Sequence, residues 1–210
     1  MVGQDRVDRA VVFVDGNNLY HRLKELGWPT FIQIGVLAER LAGGRQLVRT
    51  YYYNAAPPGG AGHTERGNAY LALMKGTRDI VFRQSRLQSI KKADQYGSYD
   101  SYVEKGADTA ISADMIACAA ADDYDVAILV SSDGDFAPVA EMIRDTYGKR
   151  VEVIYFRGTR PFAMQNVALM REFRQGLLQE LDFERPVRRE RAERSERRRN
   201  RANAKNKRGD

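Results

Sequence analysis

The 210 residues carry a net charge of +6, with 43% hydrophobic residues, 30% charged residues and one cysteine. This length and apolar content predict one domain with a hydrophobic core, which excludes a disordered chain and a disulfide-stapled miniprotein. The lone cysteine fits a reducing compartment, no apolar run reaches the roughly 18 residues of a membrane helix, and the N-terminus does not resemble a secretory signal. We therefore expect a soluble, cytoplasmic protein without a membrane partner.

The positive charge is concentrated at the C-terminus. Residues 185–210 contain 12 Lys or Arg and 4 Asp or Glu, so this basic tail has a charge of +8 and residues 1–184 have a charge of −2. Few apolar residues interrupt the tail, which predicts a disordered or transiently helical arm after a folded domain at 1–184. Such an arm favours binding to a polyanion, with nucleic acid as the first candidate. The alternative is a solubilising tail whose glutamates pair with nearby arginines along a helix.

The first half of the chain alternates apolar strands with helical segments. Residues 10–14 form a continuous apolar run, which predicts a strand buried on both faces of a parallel sheet. The run ends in Asp-Gly-Asn-Asn, a sequence typical of turns and of helix N-termini. The downstream pattern predicts helices at 17–26, 34–41 and 64–75, strands at 47–53 and 80–83, and a flexible loop at 55–62.

The second half continues this alternation. The apolar pattern predicts strands at 126–130 and 151–156, and helices at 107–121, 135–146 and 160–182. The polar stretch 84–105 predicts a loop or a ragged hairpin. Strands separated by helices imply an α/β fold, namely a three-layer α/β/α sandwich with a mainly parallel central sheet.

Acidic residues directly follow two of the predicted strands. Asp15 follows the first strand, and Asp133 and Asp135 follow the strand at 126–130. Ligands of open α/β sheets bind beyond the carboxyl ends of the strands, so neighbouring strands would gather these carboxylates. Their mutual repulsion requires a cation, and Mg²⁺ or Mn²⁺ suits carboxylate and water oxygens. The alternative is that Asp15 and Asp133 simply cap the helices that follow them.

The predicted helix at 107–121 adds two further acids. Asp108 falls in its first turn, where the helix dipole favours a negative charge whether or not a metal binds. Asp114 lies mid-helix in an apolar setting, where a buried carboxylate without a partner would be costly. Six positions place the two acids roughly 120° apart around the helix axis, so only one can point straight at an ion. The other would act through water or orient Lys105.

Three segments resemble the NYN domain, a branch of the PIN-like nuclease superfamily that includes the LabA-like proteins. They are VVFVDGNNLY, KGADTAISADMI and YDVAILVSSDGDFAPVAEMIRDTYGKRVEVIYF. The three segments occur in family order with family-like spacing, and the resemblance covers roughly residues 8–182. It implies a PIN-like fold and a metal-dependent ribonuclease.

The resemblance also implies which residues form the site. Five acids would hold the metal and take part in catalysis: Asp15, Asp108, Asp114, Asp133 and Asp135. Polar residues beside them would contact the substrate: Asn17 or Asn18, Lys105, and Ser131 or Ser132. Many relatives have glycine where this chain has Ser132, so a side chain there would narrow the approach to the scissile phosphate.

The predicted reaction is hydrolysis of RNA phosphodiester bonds assisted by Mg²⁺ or Mn²⁺, endonucleolytic on single-stranded or structured RNA. Lys105 would steady the phosphate, or it is an ordinary solvated lysine. Tyr96, Tyr99 and Tyr102 would stack bases, or they pack within a hairpin. The basic tail would concentrate RNA near an acidic centre that otherwise repels phosphates.

Two other functions, and the oligomeric state, stay open on the sequence. One is a non-catalytic RNA-binding or scaffold protein with a structural ion. The other is a different metal-dependent phosphate enzyme, such as a phosphatase or a DNA flap nuclease. A homodimer is compatible with each of these functions.

Overall fold

The computed structural model describes residues 6–55, 70, 72, 74, 79–94 and 97–181. The basic tail at 185–210 lies outside the described residues. So do Tyr96 and most of the predicted loop at 55–62. Of the predicted helix at 64–75, only residues 70, 72 and 74 are described, and each of them is helical.

A seven-stranded sheet forms the centre of the domain. The strands are β1 (Arg9–Asp15), β2 (Gln46–Ala55), β3 (Ile80–Asp94), β4 (Gly97–Lys105), β5 (Val126–Val130), β6 (Arg150–Tyr155) and β7 (Leu169–Glu172). Their order across the sheet is β4-β3-β2-β1-β5-β6-β7. Every neighbouring pair is parallel except β3 and β4, which are antiparallel. The predicted mainly parallel sheet is therefore confirmed.

Helices cover both faces of this sheet. They are α1 (Gly16–Glu25), α2 (Ile34–Ala42), α3 (Ala107–Ala120), α4 (Ala137–Tyr147) and the short α5 (Leu178–Leu181). One core packs α1, α2 and α5 against one face, and a second core packs α3 and α4 against the other. This arrangement is the predicted three-layer α/β/α sandwich.

Strand β1 shows why the central strands are apolar without interruption. Val12 and Val14 pack into the α1–α2 core, whereas Val11 and Phe13 pack into the α3–α4 core. All four side chains are at most 1% exposed. Successive side chains of a strand point to opposite faces, so a strand covered on both faces needs an apolar residue at every position.

The structure resolves one open prediction and corrects another. Of the two alternatives for the polar stretch 84–105, the described residues form the hairpin: β3 and β4 pair in antiparallel register, with Arg86 opposite Lys105 at the open end. The predicted helix at 160–182 is wrong: this segment holds β7 between two short 3₁₀ turns before α5. Pairing of Val153 with Met170 adds β7 to the sheet, and this non-local pairing overrides the local helical spacing.

None of the helices among the described residues has the length and apolar character needed to cross a membrane.

Candidate functional site

The candidate site lies where β1 and β5 end side by side. These strands are parallel neighbours, with Val14 paired to Val130, so Asp15 and Ser131 emerge together at the carboxyl edge of the sheet. The chain leaves β1 for β2 on one side, whereas β5 lies on its other side. This is the kind of switch point at which open α/β sheets bind ligands.

Hydrogen bonds hold both carboxylate oxygens of Asp15. Its Oδ1 accepts a hydrogen bond from the Asn18 backbone N–H at 2.9 Å, which caps α1, and its Oδ2 accepts one from the Ser131 hydroxyl at 3.2 Å. Only 6% of Asp15 is exposed. A carboxylate held this way keeps a fixed orientation at the N-terminus of a helix, where the helix dipole favours its negative charge.

Gly16 lets β1 turn into α1 against its neighbouring strand. A Cβ at this position would overlap the Tyr53 carbonyl oxygen and lie 2.7 Å from the Tyr52 ring. Only glycine fits without moving the backbone of β2. The glycine of the Asp-Gly-Asn-Asn motif therefore serves to place Asp15.

Polar contacts join this turn to the loop after β5. Ser131 is fully buried, and its Oγ also accepts a hydrogen bond from the Asp133 backbone N–H at 3.2 Å. The Asn18 side-chain oxygen accepts one from the Ser132 backbone N–H at 3.1 Å. The Ser132 hydroxyl lies 2.7 Å from that of Thr159. These contacts give Ser131, Ser132 and Asn18 positions that link the two strand ends, and Asn18 also lines the pocket described next, so their predicted substrate contacts stay a prediction.

Three of the five predicted acids line one pocket of about 270 Å³. We call it the acidic pocket, and its lining residues are Asp15, Asn17, Asn18, His21, Arg22, Glu25, Gly106, Ala107, Asp108 and Asp133. Asp15 comes from the end of β1, Asp108 from the first turn of α3, and Asp133 from the loop after β5. Two opposite faces of the sheet thus contribute to one cluster of carboxylates.

One wall of the acidic pocket was not predicted from the sequence. His21, Arg22 and Glu25 lie on the same face of α1 as Asn17 and Asn18. Residues four apart on a helix are neighbours, so the spacing from Asn17 to His21 and on to Glu25 carried the signal. Arg22 is paired with Glu25 at 2.7 Å.

The acids of this pocket influence one another. Desolvation raises the pKa of Asp108, and the charges of Asp133 and Asp135 raise it further. The Asp133 side chain accepts a hydrogen bond from the Asp135 backbone N–H at 2.9 Å and caps the 3₁₀ turn Gly134–Phe136. Asp135 is exposed and lies outside the pocket lining. Its carboxylate therefore acts on the pocket through its charge.

The donor set suits a hard divalent cation that keeps part of its water shell. Within the described residues, no three His, Cys, Asp or Glu side chains lie close enough together to hold an ion by themselves. Mg²⁺ is usually bound by one or two carboxylates with several waters, and carboxylate and water oxygens also suit Mn²⁺. Three acids around one pocket fit such an ion, since desolvation and then the neighbouring charges raise the pKa of Asp108.

Asp114 lies apart from this pocket, which corrects the prediction that it joins the other acids. Its carboxylate accepts a hydrogen bond from the Tyr53 hydroxyl at 2.8 Å and two from the Arg83 guanidinium at 3.0 and 3.1 Å. Burial and the bond to Asp114 raise the pKa of Tyr53. The separation of about 120° from Asp108 around the helix turns Asp114 towards β2 and β3.

A second pocket adjoins the acidic one across the turn that begins α3. We call it the basic pocket; its volume is about 390 Å³, and its lining residues are Tyr53, Arg83, Gln84, Ser85, Arg86, Lys105, Gly106, Ala107 and Ala110. Gly106 and Ala107 line both pockets. Lys105, predicted to contact substrate beside the acids, is thus on the neighbouring pocket.

Comparisons with known proteins show which fold and which family this chain shares. A protein of unknown function from Vibrio parahaemolyticus, VPA0982, has a similar crystal structure, with 21% sequence identity and a TM-score of 0.58. The match covers 83% of this chain and 98% of that one. The likeness concerns the fold alone. No curated protein matches the chain.

The family model described as the NYN domain matches residues 9–174, which include both strand ends of the acidic pocket and the start of α3. The match spans most of the 210 residues, and the resemblance found in the sequence is confirmed. The chain belongs to the NYN domain family, within the PIN-like nuclease superfamily.

Proposed function

We propose that this protein is a ribonuclease that hydrolyses RNA phosphodiester bonds with the help of Mg²⁺ or Mn²⁺. The observation that carries the proposal is the acidic pocket, in which Asp15, Asp108 and Asp133 converge at the switch point of the sheet. Members of the NYN family are generally nucleases, which supports a phosphodiester substrate.

One or two of the carboxylates Asp15, Asp108 and Asp133 would hold the ion directly, and water would complete its shell. The chemistry that Mg²⁺ or Mn²⁺ would supply there is activation of a water nucleophile and neutralisation of charge on the leaving oxygen. Asp135 adds negative charge beside the site, which strengthens the attraction for a cation. Asp114, held by Arg83 and Tyr53, lies outside this set and positions the wall of the basic pocket.

The remaining polar residues keep the acids in place or meet the substrate. The Ser131 hydroxyl and the Asn18 backbone N–H each donate a hydrogen bond to one oxygen of Asp15. The Ser131 hydroxyl oxygen also accepts a hydrogen bond from the Asp133 backbone N–H. Asn17 and His21 are exposed on the α1 wall of the pocket. Their side chains can donate hydrogen bonds to phosphate oxygens.

The proposed reaction is tested with labelled single-stranded RNA in Mg²⁺ or Mn²⁺, with EDTA as the metal-free condition. We expect the natural sequence to cleave the RNA in the presence of metal and not in EDTA. For Asp133→Asn we expect the cleavage rate to be reduced at least about 100-fold. The matched control is Asp145→Asn, which removes an exposed acid at the far end of α4 and should leave the rate unchanged. If the natural sequence and Asp133→Asn degrade RNA at the same trace rate, the ribonuclease proposal fails.

The choice of substrate separates this proposal from related enzymes. We expect cleavage of a circular RNA, which has no ends and therefore reports endonucleolytic action. Preference for flapped DNA or for a small phosphomonoester would instead identify a flap nuclease or a phosphatase. Binding of RNA without cleavage in either metal would identify a non-catalytic binding protein.

The basic tail at 185–210 is proposed to bind RNA electrostatically. Its charge of +8 contrasts with the charge of −2 on residues 1–184, which alone would repel a polyanion from the acidic pocket. Deletion of 185–210 should weaken RNA binding and flatten its dependence on salt, because each phosphate contact releases counterions. Unchanged affinity and an unchanged salt slope would show that the tail does not hold RNA.

A further inference from the structure

Two cations face each other across the hairpin of β3 and β4. Arg86 on β3 is paired in register with Lys105 on β4. Residues directly opposite in an antiparallel pair point to the same face with Cβ atoms about 4.5–5.5 Å apart, and like charges in this arrangement destabilise the sheet. An anion between the two cations would relieve their repulsion.

This pair differs from several other cations of the domain. Within the part of the chain that the structure describes, neither Arg86 nor Lys105 has an acidic partner. Arg83, on the same pocket, is neutralised by Asp114 at 3.0 Å. At the opposite edge of the sheet, Arg6 pairs with Asp125 and Arg150 with Asp8. Arg86 and Lys105 therefore keep their charge available for a ligand.

Their position places that ligand beside the acidic pocket. Both side chains line the basic pocket, which shares Gly106 and Ala107 with the acidic one. Gly106 adopts a φ of +84°, and a Cβ built there meets no heavy atom within 4 Å outside its two chain neighbours, while Ala107 adds only a methyl group. The boundary that the two pockets share therefore carries no large side chain.

We propose that Arg86 and Lys105 clamp the phosphate of the nucleotide next to the cleaved bond of a single-stranded RNA, whose base enters the basic pocket. The statement that the neighbouring bond is the one that is cleaved rests on the proposed function. The basic pocket, at about 390 Å³, falls in the range of about 300–1,000 Å³ typical of ligand sites, and Ala107, Ala110 and Tyr53 supply part of its lining. A base must leave its stack to enter, which single strands permit and duplexes resist.

The proposal is tested on the full chain carrying Asp133→Asn, so that binding is measured without cleavage. The variant Arg86→Gln with Lys105→Gln is compared with the control Arg6→Gln with Arg150→Gln, which removes the same charge at the far edge of the sheet. We expect the first pair to weaken binding of a single-stranded oligoribonucleotide about tenfold or more and to leave duplex binding unchanged. The salt slope should fall by about 0.7, the change expected when one phosphate contact to a single strand is lost.

The control pair should change affinity for the single strand at most twofold, and the thermal unfolding midpoint of the clamp variant should stay the same or rise, because a like-charge contact is removed. Equal losses for the two pairs, or equal losses for single strands and duplexes, would overturn the clamp. Because the readout is binding, the two proposals can fail separately. If Arg86 and Lys105 bind RNA as expected but the natural sequence cleaves no RNA, only the proposed function is refuted. Cleavage by a chain whose clamp variant binds normally would refute only the clamp.

Discussion

The Ser131 hydroxyl donates a hydrogen bond to Asp15 Oδ2 at 3.2 Å, across 116 positions of sequence. The same hydroxyl oxygen accepts the Asp133 N–H, so one buried side chain ties together two acids of the pocket. The contact exists because β1 and β5 are parallel neighbours that end at the same level. The orientation of Asp15 is thus set by the loop that carries Asp133.

Replacing this hydroxyl tests its role. Ser131→Ala removes the hydrogen bond that the buried hydroxyl donates to Asp15 and the one that it accepts from the Asp133 N–H, so we expect a loss of about 1–3 kcal/mol in the free energy of unfolding. Cleavage should fall as well, because Asp15 is no longer fixed. Urea denaturation and the cleavage assay measure the two effects. Ser89→Ala, at an exposed position on β3, is the control, and a Ser131→Ala protein that matches it would contradict the prediction.

Asp114 and Asp133 should respond differently to loss of charge. Asp133→Asn is expected to raise the Mn²⁺ concentration needed for cleavage, or to abolish cleavage altogether. Asp114→Asn weakens only the contacts to Arg83 and Tyr53, so it should lower the rate without changing that concentration. Titration of activity with Mn²⁺ makes the comparison. If Asp114→Asn needed a tenfold higher Mn²⁺ concentration for cleavage, this result would show that Asp114 binds the ion directly.

Gly16 is expected to tolerate no side chain. Gly16→Ala brings a Cβ onto the Tyr53 carbonyl oxygen and the Tyr52 ring, and relief of this overlap should cost about 1–3 kcal/mol of stability. It should also displace Asp15 and reduce cleavage. Gly35→Ala in α2 is the matched control, since its Cβ would meet only Ile80 at 3.9 Å, and it should stabilise the protein by about 0.5–1 kcal/mol. Similar unfolding midpoints for the two variants would refute the close approach.

The amino edge of the sheet should lose stability in acid through Asp125. Its carboxylate accepts hydrogen bonds from the Arg9 backbone and guanidinium, and this arginine lowers the pKa of Asp125 from 3.8 to about 2. A folded-state pKa below the unfolded one stabilises the fold above about pH 4, and the stabilisation disappears as pH falls towards 2. Asp125→Asn should cost about 1–2 kcal/mol at pH 7.

The difference between Asp125→Asn and the natural sequence should narrow between pH 4 and pH 2. Unfolding by urea at a series of pH values measures it. A difference that stays constant down to pH 2 would show that the charge of Asp125 does not contribute.

Local sequence pattern was sufficient for the features that depend on neighbours along the chain. The uninterrupted apolar runs of β1 and β5 predicted buried parallel strands, and the acids that follow them predicted where the pocket would lie. Both predictions concern residues whose environment is set by a strand covered on two faces. Asp15 and Asp133 could be placed at this edge in that way, whereas Asp108 was named from the predicted helix at 107–121 and from the family resemblance.

Features that depend on contacts between distant segments required the tertiary structure. Local spacing suggested a helix around β7, yet pairing with β6 made it a strand, because ladder hydrogen bonds and burial outweigh a weak helical pattern. Helix geometry separated Asp108 from Asp114 but could not name Arg83 and Tyr53 as the partners of Asp114. The register that sets Arg86 against Lys105 likewise follows from strand pairing. Sequence alone thus located the acids, while packing between the strands and α3 decided which of them share a pocket, since only folding brings such distant residues into contact.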